Sequence, residues 1–492
     1  NTLSLIAVLL LTSCIGGHKA ITTDTLSDAV FGFENVQDSA RTKTWWFHGE
    51  TETTKEGITA DLEAFKRAGI GGVVYYDQTH GGMENAFPAF SPEWWEMLRF
   101  SAKEAERLGL TFEVNVSNGF VAGGPWITYE YGMKYLAATE RKLHGGQYFE
   151  GKLEVPVNRY NYSRDVAVIA FPVPAGGGIS SATEKVSYSS NMSGINLENL
   201  FNPKSSTVEQ IPVPGEGKSV YLNLQFDDEF TARSISYEVR PKGKATTSAS
   251  NVPGPPQDTF YGTGYRVLPN LGQLEVSNDG VNYTPVCDLK PVYRALGGWR
   301  LKTLSFPAVT GKYFRLNLHD WWEKNDSSPE MQLARVVLQS TAKLDEYEEK
   351  AGFYPEYIDK DQTPPYSAKE SIDASRILNI SDKMDKDGIL RWEVPEGDWM
   401  VMRFAYVPTG ASIKHGRLNL MGRECDKLSA AAAELQWKNY VGVILDSLKV
   451  SGNYNLAGMV MDSHEAGSQN WTNNFIEEFT RRQGYDPTLY QI

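Results

Sequence analysis

The chain is poor in cysteine, in histidine and in clustered basic residues. It has 3 Cys and 7 His in 492 residues, and no two His are separated by a single residue. A metal-dependent hydrolase would need several His at ligand spacing, so this class is disfavoured. The formal net charge is -13, with no run of Lys or Arg. Because phosphate contacts need clustered cations, nucleic acid is not expected as a partner.

The chain also lacks long apolar runs. The apolar run near its start is short. Residues 3–11 are too few to span a bilayer, and Thr12, Ser13 and Cys14 follow them. This is similar to the end of a bacterial lipoprotein signal, with Cys14 as the lipid-carrying residue and residues 15–38 as a tether. The chain begins with neither Met nor a basic leader, so we expect a truncated start. The alternative for the apolar run is a buried strand.

What the chain has is length and aromatic content. Its 492 residues suggest two or three domains. It contains 12 Trp, 25 Tyr and 21 Phe. Most of these rings should be core residues, but aromatic faces are also the usual platform for sugar rings. A neutral or sugar-like substrate therefore fits the composition.

Strands and helices alternate from residue 43 onward. Strand patterns cover 43–48, 72–77 and 111–116, with helical patterns between them. Polar residues end the three strands: His48 and Glu50, Asp77, and Asn115 and Asn118. This order predicts a parallel sheet and favours a (β/α)8 TIM-type barrel. A doubly wound sheet is the alternative, although no glycine-rich phosphate loop follows the first strand.

Short alternating runs broken by Gly, Pro, Asn and Ser begin near residue 165 and predict an all-β region. The phrases at 273–283 and 306–316 are similar to galactose-binding-like jelly rolls, which either bind glycans or support a catalytic domain. We therefore divide the chain into a first barrel part (39–165), an inserted β-sandwich region (166–410) and a resumed barrel (411–492).

The resumed part carries the strongest candidate site. Asp426 is interpreted as the cap of a helix, and an apolar strand over 458–461 then ends in Asp462, His464 and Glu465. Acids at the carboxyl end of a buried parallel strand are typical of α/β active sites. The alternative is that Asp462 and Glu465 cap a helix starting near Thr472. Only four barrel strands are found where closure needs eight, so we expect the N-terminal part of a longer protein.

Three sequence blocks resemble a known enzyme family. Residues 54–72, 422–429 and 462–472 are similar, in that order, to the bacterial α-L-rhamnosidases of glycoside hydrolase family 106. The resemblance implies a large exported protein, often of gut Bacteroidetes, with a barrel, β-sandwich modules, calcium and an inverting mechanism. It also implies release of terminal L-rhamnose from polysaccharide. Together with the signal-like segment that ends at Cys14, it predicts an outer-membrane or periplasm-facing lipoprotein of a Gram-negative bacterium.

Inversion requires two carboxyl groups about 6.5 to 9.5 Å apart. Glu465 is the candidate for one of them, as base or as acid. The resemblance places its partner on a later strand outside these residues, so this chain alone is expected to be inactive. The candidate substrate-binding residues are Asp462, His464, His48, Asp77, Asn115, Asn118 and Glu424. Structural hydrogen bonding is the alternative role for these residues.

Two questions stay open at this point. Glu424 and Asp426 could hold Ca²⁺, which prefers several oxygens, but no metal ligand is assigned. A non-catalytic glycan-binding lipoprotein is the competing function. It predicts exposed aromatic residues on the β-region and no acid cluster at the barrel mouth.

Overall fold

The computed structural model describes residues 36, 40–79, 87–156, 160–174, 176–205, 207–212, 214, 217–241, 271–290, 301–319, 330–351, 363–450, 452, 456–462 and 469–492. The predicted signal with Cys14, nearly all of the predicted tether, and both His464 and Glu465 lie outside these residues. Within them, no helix has the length and apolar character needed to cross a membrane.

The strands are β1 (Lys43–His48), β2 (Gly72–Asp77), β3 (Thr111–Asn115), β4 (Gly123–Gly124), β5 (Lys134–His144), β6 (Gln147–Lys152), β7 (Arg164–Pro172), β8 (Val186–Ser190), β9 (Glu209–Pro212), β10 (Val220–Pro241), β11 (Gly272–Ser277), β12 (Thr284–Leu289), β13 (Leu301–Leu318), β14 (Glu330–Gln339), β15 (Leu378–Asn379), β16 (Ile389–Val394), β17 (Asp398–Pro408), β18 (Arg423–Glu424) and β19 (Leu456–Val460). The α-helices are α1 (Lys55–Arg67), α2 (Pro92–Arg107), α3 (Leu197–Leu200), α4 (Tyr347–Lys350), α5 (Ala430–Gln436), α6 (Gly442–Val450) and α7 (Phe475–Gln483). Short 3-10 helices cover Ala374–Arg376, Ser381–Lys383, Leu418–Leu420 and Thr488–Tyr490.

Four parallel strands form one sheet in the order β1-β2-β3-β19. Lys43 pairs with Gly72 at the start of β1, and His48 pairs with Asp77 at its end. β19 pairs with β3 in parallel, although the antiparallel sheets lie between them in sequence. The first three predicted strands are confirmed, and so is the return of the chain to the same sheet.

Helices α1 and α2 cover one face of this sheet. Thr54 caps α1 by accepting a hydrogen bond from Gly57 N at 3.1 Å, and Ser91 caps α2 with proline at the first helical position. Leu62 and Leu98 are fully buried against the sheet. The apolar residues at helical spacing therefore bury one stripe of each helix.

The opposite face of the sheet carries aromatic residues. The rings of Trp45 and Phe47 lie 5.6 and 5.2 Å from that of Tyr76. Trp45 is 49% exposed and Phe47 40%, whereas Tyr76 is buried. Trp46 points the other way, is buried, and donates a hydrogen bond to Asp61 of α1 at 3.0 Å. The two adjacent tryptophans thus occupy opposite faces, as strand alternation requires.

The β-rich region consists of antiparallel sheets. Seven strands form the larger one, in the order β12-β11-β13-β10-β14-β9, with β8 on β10. The long β10 is kinked by register shifts between Gln225 and Phe230 and between Ala232 and Ser234. A second sheet has the order β15-β7-β17-β5, and β16 and β6 form a separate two-stranded sheet that packs against it. The observed fold therefore combines sheets and helices, as the sequence predicted.

The boundary predicted at residue 165 is corrected by β5 and β6. Both strands precede it, and both pair with strands that follow the larger sheet in sequence: β5 with β17, and β6 with β16. β5 and β6 therefore belong to antiparallel sheets although they precede residue 165. The β5 sequence is rich in Leu, Ala, Glu, Lys and Arg, which favour helices, and pairing with β17 overrides that preference.

A second correction concerns the helix after the β-region. Ser429, not Asp426, caps α5, by accepting a hydrogen bond from Ala432 N at 3.3 Å. A π-helical turn over Trp437–Val441 joins α5 to α6. Leu428 is 54% exposed and precedes the helix, whereas Ile444 and Leu448 are buried.

We predict that Leu98→Ala lowers the free energy of unfolding by about 2 to 5 kcal/mol, because it leaves a cavity between α2 and the parallel sheet. The exposed Lys103 on the same helix provides the control. Lys103→Ala should change stability by no more than about 0.5 kcal/mol. Chemical denaturation of both variants measures the difference, and equal losses would contradict the packing described.

Candidate active site

The carboxyl ends of the four parallel strands lie along one edge of their sheet. His48 is in register with Asp77, and Val460 is in register with Asn115. Asp462 follows two residues after Val460. The strand-end residues predicted from the sequence are therefore brought to one edge, which is where α/β folds place their chemistry. Their side chains do not all face the same way.

Asp77 is buried and faces the helices. Its Oδ1 accepts a hydrogen bond from Arg417 Nε at 2.6 Å, and its Oδ2 accepts one from Trp94 Nε1 at 2.7 Å. Burial raises the pKa of the Asp77 carboxyl, and both hydrogen bonds oppose that shift. Because both oxygens are engaged, Asp77 fixes Arg417 at the strand ends.

His48 also lies on the helix-facing side. Its ring stacks on Tyr75 with centroids 4.1 Å apart, and meets the ring of Trp46 edge-on at 4.2 Å. Nε2 is buried and has no hydrogen-bond partner among the residues described. Burial, with a smaller contribution from Arg417, lowers the pKa of His48 to about 3. The histidine is thus held neutral within an aromatic stack.

Asn115 and Asn118 shape the loop after β3. Asn115 Nδ2 donates to Gly119 O at 2.6 Å and to Ser117 O at 3.1 Å. Asn118 Oδ1 accepts from Arg417 N at 2.9 Å, and its Nδ2 donates to Arg417 O at 3.2 Å. Both side chains are buried, so they hold the loop rather than point into an opening.

Gly119 shows how closely this loop approaches the chain returning from the β-region. Its φ is +92°, and a Cβ there would lie 2.1 Å from Lys414 O. A side chain at this position would therefore push the two segments apart. The contact keeps Arg417 beside Asp77.

Asp462 faces the other side of the sheet, where it accepts a hydrogen bond from the hydroxyl of Tyr76. It is therefore not the cap of the following helix, which begins at Phe475 after Asn474. His464 and Glu465, the next candidates, lie outside the described residues, so their assignment stays a prediction.

Asp426 accepts hydrogen bonds from three side chains, and we call these four residues the Asp426 cluster: Lys134, Asp426, Gln469 and Thr472. Lys134 Nζ donates to Asp426 at 3.0 Å and Thr472 Oγ1 donates at 2.8 Å. Gln469 Nε2 donates to the other oxygen. Lys134 and Asp426 are both fully buried. The cluster joins β5 to the chain that follows the candidate catalytic segment.

Glu424 is fully buried, and the ammonium of Lys427 lies against its carboxylate. Burial lowers the pKa of Lys427 to about 8. Since Glu424 faces Lys427 and Asp426 faces Lys134, this carboxylate pair does not fit a Ca²⁺ site. Among the described residues, no group of three or more His, Cys, Asp and Glu could hold a metal ion.

Several residues of the site escaped the sequence analysis. Arg417 and Lys134 lie in segments without a catalytic pattern, and their partners are about 300 residues away in sequence: Asp77 at 340 positions and Asp426 at 292. Tyr76 offered a local signal, because it precedes Asp77 and strand alternation turns it to the opposite face. Only the pairing of β3 with β19 shows that this face meets Asp462.

Comparison with known proteins identifies related sequences and structures. A model of glycoside hydrolase family 106, described as alpha-L-rhamnosidase, matches residues 34–491. The solved structure of a rhamnosidase from Novosphingobium sp. PP1Y is 27% identical, with a TM-score of 0.70, and the match covers 94% of this chain and 42% of that one. A Formosa agariphila protein, provisionally named beta-glucuronidase, is 21% identical over 460 residues, 93% of this chain and 26% of the relative. The chain thus spans less than half the length of either relative.

The buried neutral state of His48 predicts a pH dependence of stability. Its folded pKa of about 3 lies below the ordinary value of 6.5, so this stabilisation is present above pH 6.5 and is lost as the pH falls toward 3. Between about pH 7 and about pH 5, the loss should be roughly 2 kcal/mol. His48→Phe, which retains a ring beside Tyr75, should flatten this dependence in urea denaturation.

The exposed His144 provides the control, because 76% of its side chain is accessible. His144→Phe should retain the acid dependence of the unmodified protein. If His48→Phe and the unmodified protein lose the same stability over this pH range, His48 is not held neutral.

Proposed function

Because the chain belongs to the α-L-rhamnosidase family, glycoside hydrolase family 106, we propose that the protein hydrolyses the glycosidic bond of terminal α-L-rhamnose in a polysaccharide. The match to a rhamnosidase structure over 94% of the chain supports the same class of substrate. The activity is proposed of the whole protein, because the chain spans 42% of the rhamnosidase of known structure.

The observation that carries the proposal is the position of Asp462. The chain leaves the antiparallel sheets, re-enters the parallel sheet as β19 and ends that strand with a carboxylate beside Tyr76. Glu465 follows three residues later. A strand that ends at this edge is the usual source of catalytic carboxylates in α/β enzymes.

The proposed mechanism is inversion. One carboxylic acid protonates the leaving oxygen while a second carboxylate activates water on the opposite face of the sugar. We assign Glu465 to one of these two roles and Asp462 to substrate orientation. The partner carboxylate is proposed to come from a later strand of the whole protein.

A neutral sugar suits the described surroundings better than a uronic acid, which the provisional name of the Formosa relative suggests. Recognition of a sugar carboxylate calls for an available cation. Arg417 is paired with Asp77, Lys134 with Asp426, and Lys427 with Glu424. These cations at the strand ends are already committed to carboxylates of the protein.

The competing function, glycan binding by the β-region alone, receives less support. On the larger antiparallel sheet the guanidinium of Arg315 lies 4.4 Å from the ring centre of Tyr221 and 3.8 Å from that of Tyr283. One face of each ring is therefore covered by a cation of the chain itself. The acid at the end of β19 is the feature that this alternative does not account for.

For the whole protein we propose a closed (β/α)8 barrel in which the sheet β1-β2-β3-β19 is one part. The exposed rings of Trp45 and Phe47 lie on the face that a barrel would enclose, which supports this proposal. Export as a lipoprotein is proposed from the signal-like residues that end at Cys14, and a requirement for calcium from the family resemblance alone.

The test of the catalytic assignment is Glu465→Gln in the protein at its full natural length. Hydrolysis of an aryl α-L-rhamnoside should fall by about 10² to 10⁴, because the substitution removes a general acid or base and retains the size of the side chain. The control is Glu477→Gln, the same change at an exposed position of α7, which should retain activity.

Two results would argue against the proposal at different levels. Normal rates in Glu465→Gln remove this residue from the mechanism but leave the activity standing. An unmodified protein that cleaves aryl β-glucuronides and not aryl α-L-rhamnosides would overturn the substrate assignment.

A further inference from the structure

We propose that Phe47 is a specificity-determining residue whose ring contacts the C6 methyl group of terminal rhamnose. This inference rests on the proposed function and deepens it, because it names the residue that selects a 6-deoxy sugar among sugars with the same arrangement of hydroxyl groups. The residues concerned are Trp45, Phe47, Tyr76 and Asp462, all within the described part of the chain.

Phe47 is the last residue of β1 on the face opposite the helices, and Tyr76 has the same position in β2. The two residues are in register, and their ring centres lie 5.2 Å apart. In a barrel, the side chains of the inner face lie in layers, and the layer at the carboxyl ends of the strands borders the substrate. Phe47 and Tyr76 belong to that last layer, whereas Trp45 lies one layer deeper.

The exposure of Phe47 distinguishes it from neighbouring rings at this edge of the sheet. Trp46 and Tyr75 are buried on the helix-facing side, and Tyr76 is buried as well. Phe47 is 40% exposed, although Tyr76 and Trp45 support its ring from two sides at 5.2 and 6.0 Å between ring centres. A ring that is held in place and still has an open surface is suited to contact an apolar group of a ligand.

Tyr76 joins this apolar surface to a polar group. Its hydroxyl donates a hydrogen bond to Oδ2 of Asp462, while its ring packs against that of Phe47. Asp462 is partly exposed, and its Oδ1 has no hydrogen-bond partner among the residues described. A carboxylate oxygen that can accept from a sugar hydroxyl is therefore separated from an apolar wall by one tyrosine side chain. A single pyranose ring can contact both.

This arrangement fits the chemistry of rhamnose, a hexose in which C6 is a methyl group instead of a hydroxymethyl group. Contact with a ring removes the methyl group from water, which is favourable. A hydroxymethyl group in the same place would lose a hydrogen bond to water that Phe47 cannot replace. The ring is therefore expected to favour the 6-deoxy sugar, while Asp462 binds a hydroxyl group that both sugars carry.

The experiment compares two substrates of the protein at its full natural length: an aryl α-L-rhamnoside and the aryl α-L-lyxopyranoside, which has the same ring hydroxyl groups and no C6. The unmodified protein should prefer the rhamnoside in kcat/KM by about tenfold or more, as is usual for one carbon in an apolar contact. Phe47→Ala should lower kcat/KM for the rhamnoside by about four- to tenfold and change that for the lyxopyranoside by less than about twofold. A selective loss identifies the methyl contact, because a general change of the site affects both substrates.

Two further variants are the controls. Phe47→Leu retains an apolar side chain and should retain most of the preference for the rhamnoside. Tyr148→Ala removes an exposed ring from β6, in a different sheet, and should change neither rate. If the lyxopyranoside reacts too slowly to measure, inhibition constants of free L-rhamnose and L-lyxose provide the same comparison for each variant.

The outcomes distinguish this inference from the proposed function. Equal losses on the two substrates in Phe47→Ala, or no loss on either, would overturn the contact between Phe47 and the methyl group and leave the rhamnosidase activity standing. An unmodified protein that does not hydrolyse the rhamnoside defeats the proposed function instead, whatever the variants do. If Phe47→Ala does not fold, Phe47→Thr, which suits a strand, replaces it with the same expected result.

Discussion

The parallel pairing of β19 with β3 is the constraint on which the site depends. It brings Asp462 within hydrogen-bond reach of Tyr76, which is 386 positions away in sequence. The intervening antiparallel sheets must therefore begin and end close to the same edge of the parallel sheet. Asp77 and Arg417 form one of the contacts that close this long connection, since they join the end of β2 to the chain leaving the β-region.

The ends of the parallel strands form two layers. The layer on the helix-facing side of the sheet is structural, and the layer on the opposite side is the candidate chemical layer. On the helix-facing side, both oxygens of Asp77 are occupied and His48 is held neutral by burial. On the other side, Asp462 has a hydroxyl donor and no described ion pair. Because successive residues of a strand face opposite sides, one strand end serves both layers: Asp77 supports the fold while its neighbour Tyr76 reaches the candidate site.

Local sequence patterns predicted the helices and strands that depend on interactions between residues close in sequence. The cap at Ser91 and the apolar spacing of α2 are visible in the sequence, and the structure agrees with them. β5 was missed because its residues favour a helix and only pairing with β17 makes it a strand. The role of Asp426 was missed for a related reason, since an acid just before a helix resembles a cap until its distant partner Lys134 is known. The residues that end the strands were identified, but their orientation depends on long-range register.

The late position of β19 in the chain has a consequence for biosynthesis. β3 leaves the ribosome long before β19, so its hydrogen-bonding edge has no native partner while the antiparallel strands are being made. An edge of this kind can pair with the wrong strand, and domains that form early during synthesis can prevent such pairing. The strands of the antiparallel region all lie between β3 and β19 in sequence, so this region can fold during the interval. Once folded, this region would hold the start of the following chain near β3. β19 would then pair with β3, so that the candidate site is assembled last.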